Sequence, residues 1–351
     1  MSAAIAAASD PEAERAALAA LAAHGRSIDA AIAAFFASAG SDAGTLCAPV
    51  TALVAGVGMG ARAVDGRCLQ PGRRAKRPRG ILRDASVPES ATAAVPRAVA
   101  TIALLHAYGA ALTLGMLVRR GVGLAEEHGS PRRAELLRDV GRRAAGAMRT
   151  AEVQRHLLLA AGPSAGGLFS PGDLEDAMPS DAPAELVAVA PDLGLALPLP
   201  PEAPRPGRRA ATTATPDRSA SARPTHYVVA ADSRGVVVAL SWTPDPYGLL
   251  VPELEVRLAR DAVPVRRGVV RVTPGTPCSA PAPIAVLGRP AAGWFAALAL
   301  EQAGPLEAQA FAAAPASLRE LLEQLLVRSR GRSAVAASVQ RRRTALTRVT
   351  R

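Results

Sequence analysis

Apolar residues recur at helical spacing near the start of the chain. Asp10 precedes Pro11, an order typical of a helix N-terminus, where a carboxylate can accept hydrogen bonds from free backbone N–H groups. A second helix is predicted over residues 28–39, because Ile32 and Phe35 belong to an apolar stripe with a 3.6-residue period. We interpret this stripe as buried core. Further helices are predicted at residues 96–108, 115–127 and 130–148.

The second half of the chain contains short runs of β-branched residues that indicate strands. Two of these runs, residues 227–231 and 236–242, are joined by the turn sequence Asp-Ser-Arg-Gly, which predicts a β-hairpin. The remaining predictions are strands within residues 47–64, near Val256, at 268–272 and at 284–287, and helices at 294–302 and 317–327.

Between the two halves, residues 198–224 are rich in Pro, Arg, Ala and Thr and almost lack large apolar side chains, which is typical of a disordered linker. We therefore divide the chain into a helical and strand-forming region at 1–197, the linker at 198–224, a β-rich region at 225–327 and a basic tail at 328–351. The tail is expected to be solvated and frayed. These patterns alone indicate the α+β class, and a hairpin directly after a flexible tract is what a processing site would look like.

The composition narrows the possible functions. The 351 residues are 49% apolar but only 3% aromatic, so we expect a sizeable core of closely packed small side chains. The net charge of +11 comes almost wholly from arginine, with Lys76 as the single lysine. Because no aromatic residues interleave with this charge, we do not expect a nucleic-acid partner, and a basic nucleic-acid binder is the third hypothesis.

The sequence predicts neither a metal site nor a cofactor. The three cysteines, Cys47, Cys68 and Cys278, lack CxxC spacing, and the histidines lack ligand pairing, so no metal site or disulfide framework is expected. No glycine-rich loop is followed by Lys and Ser or Thr. The first residues lack a signal-peptide pattern and no apolar run reaches membrane length, so we expect a cytoplasmic protein with no membrane partner.

Eight short motifs along the chain can be compared, by their residues and their order, with those of known families. In the first half they are HGRSIDAAIAA at 24–34, DGRCLQP at 65–71, AVPRAVA at 94–100, LAEEHG at 124–129 and GGLFSPGDL at 166–174. In the second half they are THYVVAADSRGVVVALSWT at 225–243, PCSA at 277–280 and GRPAA at 288–292. In order and pattern this set resembles the γ-glutamyltransferase family. The resemblance implies the four-layer αββα sandwich of the N-terminal-nucleophile hydrolases, with helices outside two antiparallel sheets.

In that family the nucleophile is an N-terminal threonine, released when the chain cuts itself. An ungapped alignment places Thr225 at this position and Thr243 at the residue whose hydroxyl positions it. A rival alignment places Pro224 there and needs a one-residue insertion in the hairpin. A free N-terminal threonine combines a hydroxyl nucleophile with its own α-amine as the base, which has a pKa of about 8. The chain's own cleaved fragment would be its heterodimer partner.

The resemblance also implies a pocket for a small γ-glutamyl or related amide, such as a glutathione-like donor. Arg67 would bind the substrate α-carboxylate, because a guanidinium fork matches a carboxylate. The other implied groups are the substrate-binding residues Asp245, Glu255 and Ser279 and the oxyanion-stabilising backbone N–H groups of Ala291 and Ala292. Pro224, the alanine pair and the short chain favour the alternative of a catalytically inactive scaffold with a binding or regulatory role.

Overall fold

The computed structural model contains two six-stranded sheets. It describes residues 4–75, 80–82, 85–198, 223–279, 283–301, 306 and 317–350. The sheets face each other, and helices pack on both outer faces. The predicted α+β class and four-layer αββα sandwich are therefore confirmed.

The strands are β1 (Ile5–Ala8), β2 (Val50–Gly56), β3 (Gly60–Gly66), β4 (Ser180–Pro183), β5 (Val187–Ala190), β6 (Leu193–Ala196), β7 (His226–Ala231), β8 (Val236–Trp242), β9 (Leu249–Val251), β10 (Val256–Leu258), β11 (Ile284–Arg289), β12 (Trp294–Glu301), β13 (Ser333–Gln340) and β14 (Arg343–Thr350). The helices are α1 (Pro11–Ala22), α2 (Ser27–Ser41), α3 (Ala98–Ala107), α4 (Leu114–Leu117), α5 (Arg119–Glu127), α6 (Pro131–Arg143), α7 (Ala151–Ala161), α8 (Pro171–Glu175) and α9 (Leu318–Ser329).

Strands from distant parts of the chain combine in both sheets. The first sheet has the order β1–β7–β8–β2–β3–β4 and the second the order β14–β13–β12–β11–β6–β5, while β9 and β10 form a separate pair. All of these pairings are antiparallel. Because β1 pairs with β7 and β6 pairs with β11, each sheet contains strands from both sides of residues 199–222.

Small side chains fill the layer between the sheets. Alternate residues point into it, such as Val229 and Ala239 from the first sheet and Ala297 and Ala337 from the second. The intervening residues of the first sheet, such as Leu240, pack against the helices on its outer face. This arrangement agrees with the small-residue core expected from the composition.

The helical layer on the first sheet is also packed through small residues. α2 is buried along nearly its whole length between the sheet and helices α1 and α5. A Cβ on Gly40 would lie 2.1 Å from the carbonyl oxygen of Gly121, so the α2 and α5 backbones meet where only glycine fits. α9 packs four leucines against the outer face of the second sheet. None of the described helices is long and apolar enough to cross a membrane.

Most of the strongly patterned predictions are confirmed. The stripe at residues 28–39 lies in α2, and the hairpin at 227–242 is formed by β7 and β8. The helix predicted at 317–327 corresponds to α9. Most of the predicted linker at 198–224 lies outside the described residues, as does Lys76.

Three predictions in the last third are wrong. Residues 294–302 were expected to be helical but form β12, whose apolar run is continuous because one face meets the other sheet and the other meets α9. Residues 268–272 form no strand. The described part of the predicted tail, residues 328–350, is not frayed, because β13 buries alternate residues between the sheets and β14 pairs with it along its length. The arginines of β14 lie on the outermost strand of the sheet, where charge discourages further strand pairing.

Candidate functional site

Thr225 and Thr243 meet at the open end of the β7–β8 hairpin. His226 pairs with Trp242 at the end of the ladder, so the residues just beyond them lie opposite each other. The two Oγ1 atoms are 3.2 Å apart, within hydrogen-bonding distance. The opposite end of the hairpin closes through a turn at residues 232–235, in which Gly235 has φ 92° and Asp232 Oδ1 accepts a hydrogen bond from the Arg234 N–H. The structure thus brings the predicted nucleophile and its predicted positioning residue together.

The two hydroxyls lie on the side of the sheet that faces the second sheet. Tyr227 points into the layer between the sheets, and Trp242 points into the helical layer. Because side chains alternate along a strand, Thr225 shares the face of Tyr227, and His226 shares that of Trp242. The His226 ring stacks on the Trp242 ring at 5.9 Å between centroids, and burial lowers its pKa. His226 therefore points away from the Thr225 hydroxyl.

A row of polar residues crosses the first sheet beside this pair. The register aligns Tyr227, Ser241, Thr51 and Asp65 on neighbouring strands. The next row on the same face is the apolar set Val229, Ala239, Leu53 and Ala63. The Thr51 Oγ1 atom is buried and has no hydrogen-bond partner within the described part of the chain. The layer between the sheets is therefore polar at the Thr225 end and apolar further in.

Arg67 lies at the same end, next to Asp65, and is only 1% exposed. Its Nε and Nη2 donate to the two carboxylate oxygens of Asp65 at 2.9 and 2.7 Å. Arg97 Nη2 donates to Asp65 Oδ1 at 3.3 Å. Burial raises the pKa of Asp65, but the hydrogen bonds and charges of the two arginines outweigh it and hold that pKa below its usual range. The guanidinium fork predicted to bind a substrate carboxylate is thus occupied by Asp65.

Ser279 contacts Arg67 directly. The Ser279 carbonyl oxygen accepts a hydrogen bond from Arg67 Nη1 at 3.3 Å. Its Oγ atom is buried, and no hydrogen-bond partner for it occurs among the residues that the structure describes. Two of the predicted substrate-binding residues are therefore neighbours.

Asp245 is buried two residues beyond Thr243 and forms an ion-pair cluster that sequence reasoning missed. Its Oδ2 lies 3.0 Å from Arg223 Nη2 and 3.5 Å from Arg260 Nε. Arg223 Nη1 also lies 2.6 Å from Asp261 Oδ1. The only signal in the sequence was the position of Arg223, two residues before the candidate nucleophile.

The predicted role of Glu255 in substrate binding is not supported by the contacts of its side chain. The Glu255 carboxylate accepts hydrogen bonds from the backbone N–H groups of Arg132 and Arg133 at 3.0 and 3.3 Å. These groups belong to the first turn of α6, where a carboxylate complements the helix dipole. Glu255 therefore binds the start of a helix, and its described contacts do not include Thr225.

The assignment of Ala291 and Ala292 to the oxyanion site is wrong. They form an exposed 3₁₀ turn, Pro290–Ala292, within the connection between β11 and β12. A Cβ on the next residue, Gly293, would lie 3.9 Å from Val57, which follows β2 at the closed end of the β7–β8 hairpin. The alanine turn thus lies at the opposite end of the strands from Thr225, a strand length of about 20 Å.

No group of three or more His, Cys, Asp or Glu side chains that could hold a metal ion occurs in the described ranges.

Comparisons with known proteins show the fold. No protein-family model matches the chain, and no curated protein matches it. The structure titled LmbA2991HD is similar with a TM-score of 0.68 and 15% identity, over 99% of this chain and 96% of that chain. A cephalosporin acylase from Bacillus halodurans is similar with a TM-score of 0.62 and 16% identity, over 82% of this chain and 75% of that chain. A γ-glutamyltranspeptidase from Pseudomonas nitroreducens matches over 52% of this chain with a TM-score of 0.44.

The LmbA2991HD and cephalosporin acylase structures share the fold of this chain. The two facing antiparallel sheets with helices outside form an αββα sandwich of the N-terminal-nucleophile hydrolase type. At 15% to 16% identity the likeness concerns the fold alone.

Proposed function

We propose that the protein is an amide hydrolase or acyl transferase whose nucleophile is Thr225, freed by self-cleavage of the Pro224–Thr225 bond. The observation that carries the proposal is the 3.2 Å contact between the Thr225 and Thr243 hydroxyls at the polar end of the layer between the sheets. A fold shared with a cephalosporin acylase supports the same reaction class.

The chemistry follows from the geometry of an N-terminal threonine. Once Thr225 is free, its α-amine takes the hydroxyl proton while Oγ1 attacks the carbonyl carbon of an amide. The C–N bond of the amide breaks, the amine product leaves with that proton, and the acyl group remains on Thr225 as an ester. Water completes a hydrolysis, whereas a second amine completes a transfer. The Thr243 hydroxyl holds Oγ1 in place for the attack.

The fragments 1–224 and 225–351 would stay together as a heterodimer after cleavage. The β1–β7 and β6–β11 pairings cross from one fragment to the other, so both sheets depend on both fragments. A cut before Thr225 therefore exposes the nucleophile without dividing the core.

The substrate in this proposal is a small γ-glutamyl or related amide. Recognition of a free γ-glutamyl group by Arg67 would require part of the guanidinium to leave Asp65, which accepts from it through two hydrogen bonds. Related amides without an α-carboxylate do not carry this cost, so we place them first. Ser279, next to Arg67, supplies a buried hydroxyl on the same side.

Intact-mass analysis of the purified full chain tests the nucleophile. We expect the wild type to yield fragments 1–224 and 225–351, Thr225→Ala to stay whole, and Thr243→Val to be cut more slowly. The matched control is Thr350→Ala at the exposed end of β14, which should be cut like the wild type. Purified cut protein should then release the amine from a panel of γ-glutamyl and simpler acyl anilides.

A non-catalytic scaffold is the second candidate function. Two observations favour it: the residue before the cleaved bond is Pro224, and the Arg67 fork is occupied by Asp65. A wild-type chain that remains whole after prolonged incubation would contradict the nucleophile proposal and favour this alternative.

A further inference from the structure

The segment just before Thr225 is anchored by one arginine. The Arg223 guanidinium lies 3.0 Å from Asp245 Oδ2 through Nη2 and 2.6 Å from Asp261 Oδ1 through Nη1. Nη2 also donates to the carbonyl oxygen of Arg260 at 3.4 Å. The two terminal nitrogens of Arg223 are therefore engaged by groups that follow Thr243 in the chain.

Contacts other than the one with Arg223 also hold the Asp245 carboxylate in place. Its side chain is 1% exposed. Its Oδ1 accepts a hydrogen bond from the Tyr247 N–H at 3.1 Å, and its Oδ2 accepts one from the Arg260 N–H at 3.1 Å. A buried carboxylate held by backbone donors cannot follow a moving partner. The Arg223 side chain is consequently held at one point.

The two contacts flank the Pro224–Thr225 peptide. On the C-terminal side of this peptide, Thr225 Oγ1 contacts Thr243. On the N-terminal side, Arg223, two residues before Thr225, contacts Asp245, two residues after Thr243. Pro224 has no N–H that could donate a ladder hydrogen bond. The contact between Arg223 and Asp245 holds the chain here instead. Attack on a carbonyl requires the reacting atoms to be about 3–3.5 Å apart in a restricted orientation. Anchors on both flanks limit the conformations of this one bond.

We propose that Arg223, Asp245 and Asp261 form a clamp that positions the Pro224–Thr225 bond for self-cleavage, an inference that rests on the proposed function. In the cleavage, Thr225 Oγ1 attacks the Pro224 carbonyl carbon and the peptide C–N bond breaks. The hydroxyl proton passes to the Thr225 nitrogen, which becomes the free amine. Water then hydrolyses the ester to the Pro224 carboxylate and restores the Thr225 hydroxyl. Arg223 makes and breaks none of these bonds and acts as a positioning residue.

The test follows the rate of cleavage of the full chain during cell-free synthesis. Arg223→Ala and Asp261→Asn should be cut at least about tenfold more slowly than the wild type, equivalent to 1.4 kcal/mol of barrier. Arg223→Lys should be intermediate, since an ammonium keeps the charge but loses the fork. The matched control is Arg234→Ala, an exposed arginine at the closed end of the same hairpin, which should be cut at the wild-type rate.

Chemical rescue separates positioning from general damage. Millimolar guanidinium should restore cleavage of Arg223→Ala but not of Asp261→Asn, because only the first variant leaves an acidic site empty. Thermal unfolding of each variant in the uncut Thr225→Ala background shows whether it folds, and Arg223→Lys serves if Arg223→Ala does not.

An uncut wild type would overturn the proposed function and the clamp together. A wild type that is cut, with Arg223→Ala cut equally fast, would overturn the clamp alone. A folded Arg223→Ala that is cut slowly and that guanidinium does not restore would also overturn it.

Discussion

The two ends of the β7–β8 hairpin share the same strands but differ in chemistry. At the open end, Thr225 and Thr243 meet beside a polar row that continues to the buried Asp65. At the closed end, a Cβ added to Gly235 would lie 3.2 Å from Val57 Cγ2, and the turn that contains Ala292 lies nearby. This difference teaches that a short motif such as GRPAA does not by itself predict whether its residues lie at the open or the closed end of the hairpin. Substitutions at the two ends should therefore separate the effect of buried charge at the open end from that of turn geometry at the closed end.

The largest effect is expected at the polar end from Asp65→Asn. Loss of this carboxylate leaves Arg67 and Arg97 buried without their anionic partner, which should lower the free energy of unfolding by about 3–5 kcal/mol. Urea denaturation measures it. The matched control is Asp181→Asn, whose pair with Arg62 is partly exposed and should contribute less than about 1 kcal/mol. Equal losses in the two variants would show that the burial of the Asp65 ion pair does not set its contribution to stability.

The same carboxylate should make stability depend on acid. The pKa of Asp65 is lower in the folded chain than its ordinary value of about 4, so the folded state favours the ionised form. Its contribution is therefore complete above about pH 4 and is lost as the pH falls through the lowered pKa. Unfolding midpoints of the wild type and Asp65→Asn, measured from pH 6 downward, should converge in acid. A gap that stays constant would show that charge is not the cause.

A smaller loss is expected at the closed end from Gly235→Ala. Its φ of 92° disfavours a side chain, and the added Cβ would lie 3.2 Å from Val57 Cγ2. We expect a loss of about 1–3 kcal/mol in the free energy of unfolding, with self-cleavage unchanged. Gly58→Ala is a matched control, because Gly58 has a φ of 83° but a Cβ added there would have no described atom within 4 Å. The difference between the variants then measures the Val57 contact.

The smallest effect is expected from Ala292→Gly. The residue is exposed in a turn far from Thr225, so the free energy of unfolding should change by less than about 0.5 kcal/mol. Intact-mass assays should show the wild-type rate of self-cleavage. A marked change in that rate would mean that the closed end takes part in the chemistry after all.

The fold could be predicted where one local signal sufficed. The α2 stripe and the β7–β8 turn were both readable from spacing and turn chemistry. β12 could not be read, because a strand covered on both faces has the same continuous apolar run as a buried helix. The strands of the tail were missed because its arginines hid the alternation of Val335, Ala337 and Val339.

The candidate site was predictable only in part, for a different reason. Thr225 and Thr243 flank a single hairpin, so the local sequence is enough to predict that their side chains lie close together. The pairing of Arg67 with Asp65, and that of Arg223 with Asp245 and Asp261, depends on how side chains share charge in the folded core. Tertiary structure determines which ion pairs form, and the sequence contains several acidic residues that could pair with each arginine.

The pairing of β1 with β7 and of β6 with β11 has a thermodynamic consequence if the chain is cut. Folding of the intact chain is unimolecular, whereas folding of the cut protein requires two molecules to meet. Since neither sheet is complete in either fragment, separation of the fragments and unfolding become one event. The melting temperature of the cut protein should then rise with protein concentration, while that of the whole chain should not. Cleavage would thus make the stability of the fold depend on the concentration of the two fragments.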